Sequence, residues 1–236
     1  MHLYVIRHSD PLPGADGLTE LGYREAQTVA ARLREIGVTH LYASDLHRAR
    51  ETARITAEAT GLSVEHHAWL REPGQLAIEQ GGTSYRMWDV FGETVRATMP
   101  PPSFDDWQTR EPFTGRGLNE AWQSFTSEAD LLLGRHGYRR EGGRYRMLRE
   151  TDDRVAVFAH NGTVLLFLAH LLMLPLPLVW CGFYSWPSGI TDFLFETHSV
   201  DWAVPRAAYV ADTSHLRAAG MEPQPRGMGD WFEQLR

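Results

Sequence analysis

The sequence predicts an α/β fold: a three-layer α/β/α core around a mostly parallel sheet, interrupted by an inserted cap. Three observations predict it. Over about the first 60 residues, short apolar runs bounded by turn residues alternate with helical periodicity, an order that builds parallel strands joined by right-handed crossovers. A second buried-type run, Val155 to Ala159, resumes after a long irregular stretch and again leads into an apolar helix. The chain of 236 residues, 43% hydrophobic and 22% charged, is long enough for one large core and shows no internal repeat or low-complexity tract.

The elements follow in order. Leu3, Tyr4, Val5 and Ile6 form a continuous apolar run, the mark of a strand covered on both faces. After the loop "GADGLTELG", Thr19 is a plausible N-cap, and Ala26, Val29, Ala30 and Leu33 keep the i, i+3, i+4, i+7 spacing of an amphipathic helix from Thr19 to about Ile36, stopped by Gly37. "THLYAS" at 39–44 reads as a second strand, and "SDLHRARETARITAEATG" as a second helix, capped by Ser44 or Asp45 and closed by Gly61. "LSVEHH" at 62–67 is a third strand candidate. From about 74 to 153 the pattern degrades into Pro-, Gly- and Arg-rich sequence carrying Trp88, Phe91, Trp107 and Trp122, which predicts an inserted cap with some helix. The core is therefore expected from 1–73 and 154–236, as one domain. A helix from about Thr163 to Met173 follows Val155–Ala159, and "SGITDFLFE" and "WAVPRAAYV" read as two further strands closing the sheet.

Bulk properties narrow the function. A net charge of −7 and a pI near 5.9 give no basic face for nucleic acid or for an anionic membrane, so any phosphate binding must use local positive charge. Cys181 is the only cysteine, which excludes an internal disulfide and a cysteine metal cluster and fits a reducing cytoplasm. No basic region and apolar stretch precede Leu3, so no signal peptide is expected. The most apolar segment, 164–180, is broken by Pro175 and Pro177 and reads as a core helix rather than a membrane span. A homodimer is compatible with the sequence, which does not specify one.

The chemistry gathers at strand ends. The first strand delivers Arg7 and His8, and the Val155–Ala159 strand delivers His160, each before a turn and a helix. In a doubly wound sheet both histidines face one crevice at the carboxyl edge. A lone histidine there is commonly a hydrogen-bonded core residue; two in equivalent places, one after an arginine, point to a site. Arg48 falls in the first turn of the second helix, where the helix dipole disfavours a cation unless an anion sits beside it. Such an arginine, with Arg7, suits bidentate capture of phosphate.

"RHS" after a first strand, "LTELG", "SDLHRARETA", "LRE" at 70–72, "FAHNG" and "VADTSHL" at 210–216 together resemble the histidine phosphatase superfamily, the phosphoglycerate mutase-like proteins. The resemblance covers the chain except the cap. It implies a nucleophilic His8 that forms a phosphohistidine, a phosphate pocket of Arg7, Arg48 and His160, and Glu72 as proton donor, with no metal or organic cofactor and a small phosphorylated substrate. Elementary chemistry supports these roles: two guanidinium groups favour a neutral, nucleophilic His8, Arg7, Arg48 and a cationic His160 stabilise a transferring phosphoryl group, and a partly buried Glu72 holds a proton for the leaving oxygen. Asn161 stands where glycine is common in the family, a replacement eased by asparagine's tolerance of left-handed backbone angles, and is expected among the substrate-binding residues. It also means that the His-Asp pair of the acid phosphatase branch is absent. Asp10 is a rival acid, although an Asp-Pro pair more often serves a turn.

Three rivals are weighed. His8, Glu72 and His160 form a formal metal-ligand set, but two arginines in the same pocket oppose a cation. A mutase is disfavoured because the short "SDPLPGADGLTELG" lacks the longer Trp-Asn-containing segment of the cofactor-dependent mutases. A non-catalytic phospho-ligand-binding domain is kept because fold does not imply function, though it would be expected to lose one of the five key residues. The cap is expected to select the leaving group: Trp88, Phe91, Trp107 and Trp122 either line an apolar pocket or form the cap's own small core, and Arg86, Arg96, Arg110 and Arg116 either contact further anions or lie solvated.

Overall fold

The computed structural model describes every residue except 74–76, 81, 98, 115–116 and 228–236. In chain order the elements are β1 (His2–Arg7), α1 (Glu20–Ile36), β2 (His40–Ser44), α2 (His47–Thr60), β3 (Val64–His67), β4 (Ala77–Gln80), β5 (Thr83–Arg86), α3 (Gly92–Arg96), α4 (Leu118–Arg135), β6 (Tyr138–Glu141), β7 (Arg144–Met147), β8 (Arg154–Ala159), α5 (Asn161–Leu172), α6 (Leu176–Gly182), β9 (Ile190–Thr197), β10 (Trp202–Asp212) and α7 (Ser214–Ala218). Strands pair in the order β3-β2-β8-β1-β9-β10-β7-β6, and β4 and β5 form a separate hairpin. The first four strands of the sheet are mutually parallel. The other four run as an antiparallel meander.

Alternation along the central strands sorts the core into two layers. Leu3 and Val5 of β1 and Val155 and Val157 of β8 face one side, packed with α4 and α5 through residues such as Phe125, Leu132, Leu165 and Leu168. Tyr4, Ile6, Ala156 and Phe158 face the other, packed with Val29 and Leu33 of α1 and Ala53 of α2. Each such buried side chain contributes roughly 1.5–3 kcal/mol of transfer free energy. A one-residue register slip would exchange the two sets between the faces and mismatch both helical layers, so the register is firmly specified. α5 is buried all round; its apolar run is a core helix. Among the described residues no helix is long and apolar enough to cross a membrane.

Local signals explain the ends of α1. Thr19 accepts from Gly22 N, and Gly37 closes the helix with a left-handed backbone (φ 76°). The start of α2 differs from expectation. Neither Ser44 nor Asp45 caps it; Leu46 holds the cap position, and Asp16, from the preceding loop, accepts from His47 N (2.7 Å) and Arg48 N (3.2 Å). Asp45 instead pairs with Arg71 at 2.6 Å.

The cap is shorter than the expected 74–153. α4 packs on the sheet beside α5, and the β6–β7 hairpin extends the main sheet at its edge. The reason is visible in α4, where Trp122, Phe125, Ala129, Leu132 and Leu133 make an apolar stripe that the sheet face buries. Trp107 and Trp122 accordingly belong to the core cluster, as does Phe113. Arg110 is tied to Asp106 and to the Pro100 carbonyl; Arg116 lies outside the described residues.

Candidate active site

Parallel register builds the centre. Arg7 pairs with Ala159 across β1 and β8, and His8 N donates to Ala159 O at 2.9 Å. The next residue of each strand is therefore His8 and His160, side by side, with ring centroids 5.1 Å apart. Both rings are buried, with 2% and 0% of their surface exposed.

Hydrogen bonds fix the tautomer of His8. Its Nδ1 lies 2.8 Å from the Ser9 carbonyl, which can only accept, so Nδ1 carries the hydrogen. Nε2 is left with its lone pair and accepts from Arg48 Nε at 3.1 Å. Burial, then His160, Arg7 and Arg48, push the His8 pKa well below its ordinary value. The ring is neutral, with its Nε2 lone pair unprotonated and turned toward a cation.

The two arginines are braced differently. Arg48 donates through Nη1 to Asp16 Oδ1 at 2.9 Å, so one loop carboxylate both caps α2 and holds the guanidinium. Arg7 donates through Nη1 to Ser185 O (2.6 Å) and Tyr184 Oη (3.1 Å), and through Nη2 to Arg226 O (2.7 Å). Among the described residues Arg7 Nε and His160 Nδ1 have no hydrogen-bond partner although both are buried. Unmet buried donors and acceptors of this kind are costly, and an oxyanion between the strand ends would satisfy them. His160 Nε2 is engaged with Ser44 Oγ at 2.9 Å.

In the free site, burial, Arg48 and Arg7 hold the His160 pKa well below the ordinary value, so the cationic form expected against the transferring phosphoryl group would have to be induced by the ligand. Two imidazoles and two guanidinium groups share a closed space, and the imidazoles yield their protons first.

Glu72 arrives from the loop after the 3-10 turn Ala68–Leu70. Its Oε1 accepts from Gly162 N, in the first turn of α5, at 2.6 Å. Burial of the carboxyl group raises its pKa, against the lowering effects of Arg7, the Gly162 N–H, Arg48 and Arg86. Gly162 has no room for a side chain, since a Cβ there would sit 2.8 Å from the Trp88 ring and 2.9 Å from Glu72 Oε1. Asn161 begins α5 with no left-handed backbone, so that part of the expectation does not hold. Its Oδ1 accepts from Ser185 N at 3.0 Å, which makes it a brace for the loop that holds Arg7.

Several contributing residues escape sequence reading. Below the His8 turn, Glu25 accepts from Asp10 N (2.9 Å) and Ser188 Oγ (3.0 Å), Ser188 Oγ accepts in turn from the Ser9 hydroxyl (2.7 Å), and Ser9 N donates to Thr52 Oγ1 (3.1 Å). Burial pushes the Glu25 pKa up to about 7. The available signal was a carboxylate inside the stripe of α1, four residues before Val29. Ser188 has a left-handed backbone (φ 60°), an uncommon state for serine that the surrounding bonds enforce. Asp10, the rival acid, is committed to Arg226 Nε (2.6 Å) and Thr19 Oγ1 (2.7 Å).

His8, Glu72 and His160 offer ligand atoms within 4.8 Å of one another, a cation-sized arrangement; His40, His136 and Asp153 form a second such set. At the first, Arg48 already donates to His8 Nε2 and Arg7 lies alongside, so the field favours an anion. Two cavities lie near the site, the smaller of them lined by Glu72. One of about 570 Å³ is lined by Trp88, Asp89, Asn161, Trp180, Phe183 and Tyr184 among others, and one of about 320 Å³ by Glu72, Trp69, Trp122, Phe125, Leu176 and Trp180 among others.

Comparison with known proteins bears on this arrangement. The family model described as histidine phosphatase superfamily (branch 1) matches residues 5–185. A probable phosphoglycerate mutase, GpmB, of Erwinia tasmaniensis is 39% identical over 89 residues, and that of Yersinia pestis 40% over 88. Each match covers 34% of this chain and only 41% of the relative's length. Among solved structures, phosphoserine phosphatase of Entamoeba histolytica in complex with 3-phosphoglyceric acid superposes with a TM-score of 0.60 at 18% identity, covering 91% of this chain and 98% of that one. A mycobacterial glucosyl-3-phosphoglycerate phosphatase gives 0.53 at 20%, covering 88% and 97%. At these identities the structural likeness establishes the fold.

Proposed function

Because the chain belongs to the histidine phosphatase superfamily, branch 1, we propose that it hydrolyses a small phosphate monoester through a phosphohistidine on His8, without a metal. The observation that carries this reading is the tautomer of His8: Nδ1–H is spent on Ser9 O, and the Nε2 lone pair stands beside Arg48 and the His160 ring.

In the first step the Nε2 lone pair bonds to phosphorus as the ester P–O bond breaks. Glu72 gives its proton to the departing oxygen, and the alcohol leaves. Arg7 and Arg48 stabilise charge on the equatorial phosphoryl oxygens, and His160 Nδ1 supplies a further polar contact. In the second step water attacks phosphorus, the ionised Glu72 takes its proton, and the P–N bond breaks to regenerate neutral His8 and free phosphate. Placing the nucleophile on a rigid strand end is what makes a modest imidazole effective. The single cysteine, free in the structure, agrees with a cytoplasmic setting.

The curated relatives carry a mutase name, and a mutase would return the phosphoryl group to an alcohol instead of water. One experiment separates the readings: phosphate release in EDTA from phosphate esters, wild type against His8→Ala. Release that survives EDTA and is lost in His8→Ala supports the proposal. Activity that EDTA abolishes, or that persists in His8→Ala, overturns it, and isomerisation of a phosphoglycerate without phosphate release points to the mutase.

A further inference from the structure

The cavities beside Glu72 bear on what the phosphate is attached to. Resting on the hydrolytic reading above, we propose that the leaving group is a bulky, uncharged, apolar alcohol of arylalkyl or prenyl type, and that esters whose alcohol bears a carboxylate are poor substrates.

Position comes first. The larger cavity shares Asn161 and Tyr184 with the shell that holds Arg7, and Trp88 in its wall lies against the same Gly162 that fixes Glu72. Trp88 thus stands between Gly162, the residue that holds Glu72, and this cavity. The smaller cavity touches Glu72 itself, and Trp180 lines both. A volume of about 570 Å³ falls in the range that accepts a ligand of many heavy atoms, far more than a three-carbon acid needs.

Surface chemistry comes second. Trp88, Phe91, Trp180 and Phe183 supply aromatic walls. Phe91 and Phe183 are 40% and 39% exposed, apolar area that a ligand in the cavity would cover.

Charge comes third. The carboxylates that line this cavity are Asp89 and Glu93, beside the neutral Cys181 and Tyr184. Of the nearby cations, Arg86 is exposed, lies over the Trp88 ring at 5.9 Å and acts on Asp89 and Glu72, and Arg96 lies close to the lining residue Gly182. A substrate carboxylate would give up its hydration for aromatic walls. A cationic alcohol gains little, because Glu72 enters the reaction protonated and Arg7, Arg86 and Arg96, set against the lining glycines Gly227 and Gly182, outnumber Asp89 and Glu93.

The test compares kcat/KM in EDTA for 2-naphthylmethyl phosphate, ethyl phosphate, phosphocholine and 3-phosphoglycerate. The first two leave as primary alcohols of similar basicity, so their ratio reads the cavity rather than leaving-group reactivity. Binding of 2-naphthylmethylphosphonate and 3-phosphoglycerate is measured by calorimetry in parallel. The expected result is at least a tenfold preference for the naphthylmethyl ester over each other ester, reduced about tenfold in Phe91→Ser or Phe183→Ser. Equal or better turnover of 3-phosphoglycerate or phosphocholine overturns the inference while leaving the hydrolytic reading intact. If no ester is hydrolysed, the hydrolytic reading fails, and calorimetry still decides the cavity: tighter binding of the naphthylmethylphosphonate supports the inference, tighter binding of 3-phosphoglycerate refutes it.

Discussion

Replacing Gly162 by alanine isolates the proton donor from the phosphate pocket. A Cβ at this position would lie 2.8 Å from two carbons of the Trp88 ring and 2.9 Å from Glu72 Oε1. Carbon contacts normally sit at about 3.5–4.0 Å, so the ring must retreat by roughly 0.7 Å or more, and the carboxylate by about as much. The Gly162 N–H bond of 2.6 Å is then lost or misaligned. Misplacement near 1 Å costs up to about 100-fold in rate. Stability moves little, because alanine in a helix gains about 1 kcal/mol over glycine, which offsets part of the overlap. The assay is kcat/KM for two esters, one with a basic alkyl leaving group that needs a proton and one with 4-nitrophenol, which departs without one. We expect a loss of about 30-fold to 100-fold for the alkyl ester, less than fivefold for the nitrophenyl ester, and a near-unchanged melting temperature. Equal losses on both esters would refute the assignment of Glu72 as acid, since the damage would then lie in the phosphate pocket.

The pH profile gives a second prediction. Nucleophilic His8 must be neutral and its pKa is lowered, while Glu72 must be protonated and its pKa is raised. Hydrolysis of alkyl esters should therefore fall as pH rises through the Glu72 pKa, and Glu72→Gln should remove that limb along with most activity; an alkaline limb retained in Glu72→Gln would assign it elsewhere. Glu25 gives a third. Its folded pKa near 7 lies above an unfolded value near 4.3, so its contribution is fully present below the unfolded pKa and is lost as pH rises toward 7, by about 3 kcal/mol. Urea unfolding should show this fall, and Glu25→Gln should flatten it. Asp16→Ala is the fourth: it removes two backbone caps and the Arg48 ion pair, and should cost about 1–2 kcal/mol of stability and about tenfold in kcat/KM. Unchanged kinetics would show that Arg48 needs no brace.

What the sequence made legible follows from how local each signal is. The apolar run Leu3–Ile6 and the run Val155–Ala159 announce parallel strands, and their ends bring His8 and His160 together because register requires it. Thr19 and Gly37 mark α1 through chemistry confined to a few residues. The cap of α2 was not legible, because its acceptor, Asp16, lies 31 residues away from His47 in sequence. The size of the cap was missed for a related reason. The stripe on α4 states that the helix is buried, but not against what, and only the sheet edge reveals the partner. Arg7 shows the limit most clearly: its acceptors Ser185 and Arg226 present backbone carbonyls, which every residue possesses.

The charge state of the free site has a mechanistic consequence. Arg7 and Arg48 are permanent cations, and both histidines are neutral because burial and those cations make a proton there unfavourable. A phosphate dianion reverses the balance for His160 but must not do so for His8. At about 4 Å and an effective dielectric near 20, each unit charge of the ligand is worth about 4 kcal/mol to a neighbouring cation, which favours a proton on the unpartnered His160 Nδ1. On the proposed mechanism His8 is protected by geometry: its Nδ1 already carries a hydrogen for Ser9 O, and its Nε2, turned toward Arg48 Nε, is the atom that would bond to phosphorus. The difference between the two histidines lies in which nitrogen is spent on the protein, since both sit at equivalent ends of neighbouring strands. On this argument, removing the Ser9 carbonyl contact by distorting the turn would damage catalysis even with every side chain of the site retained.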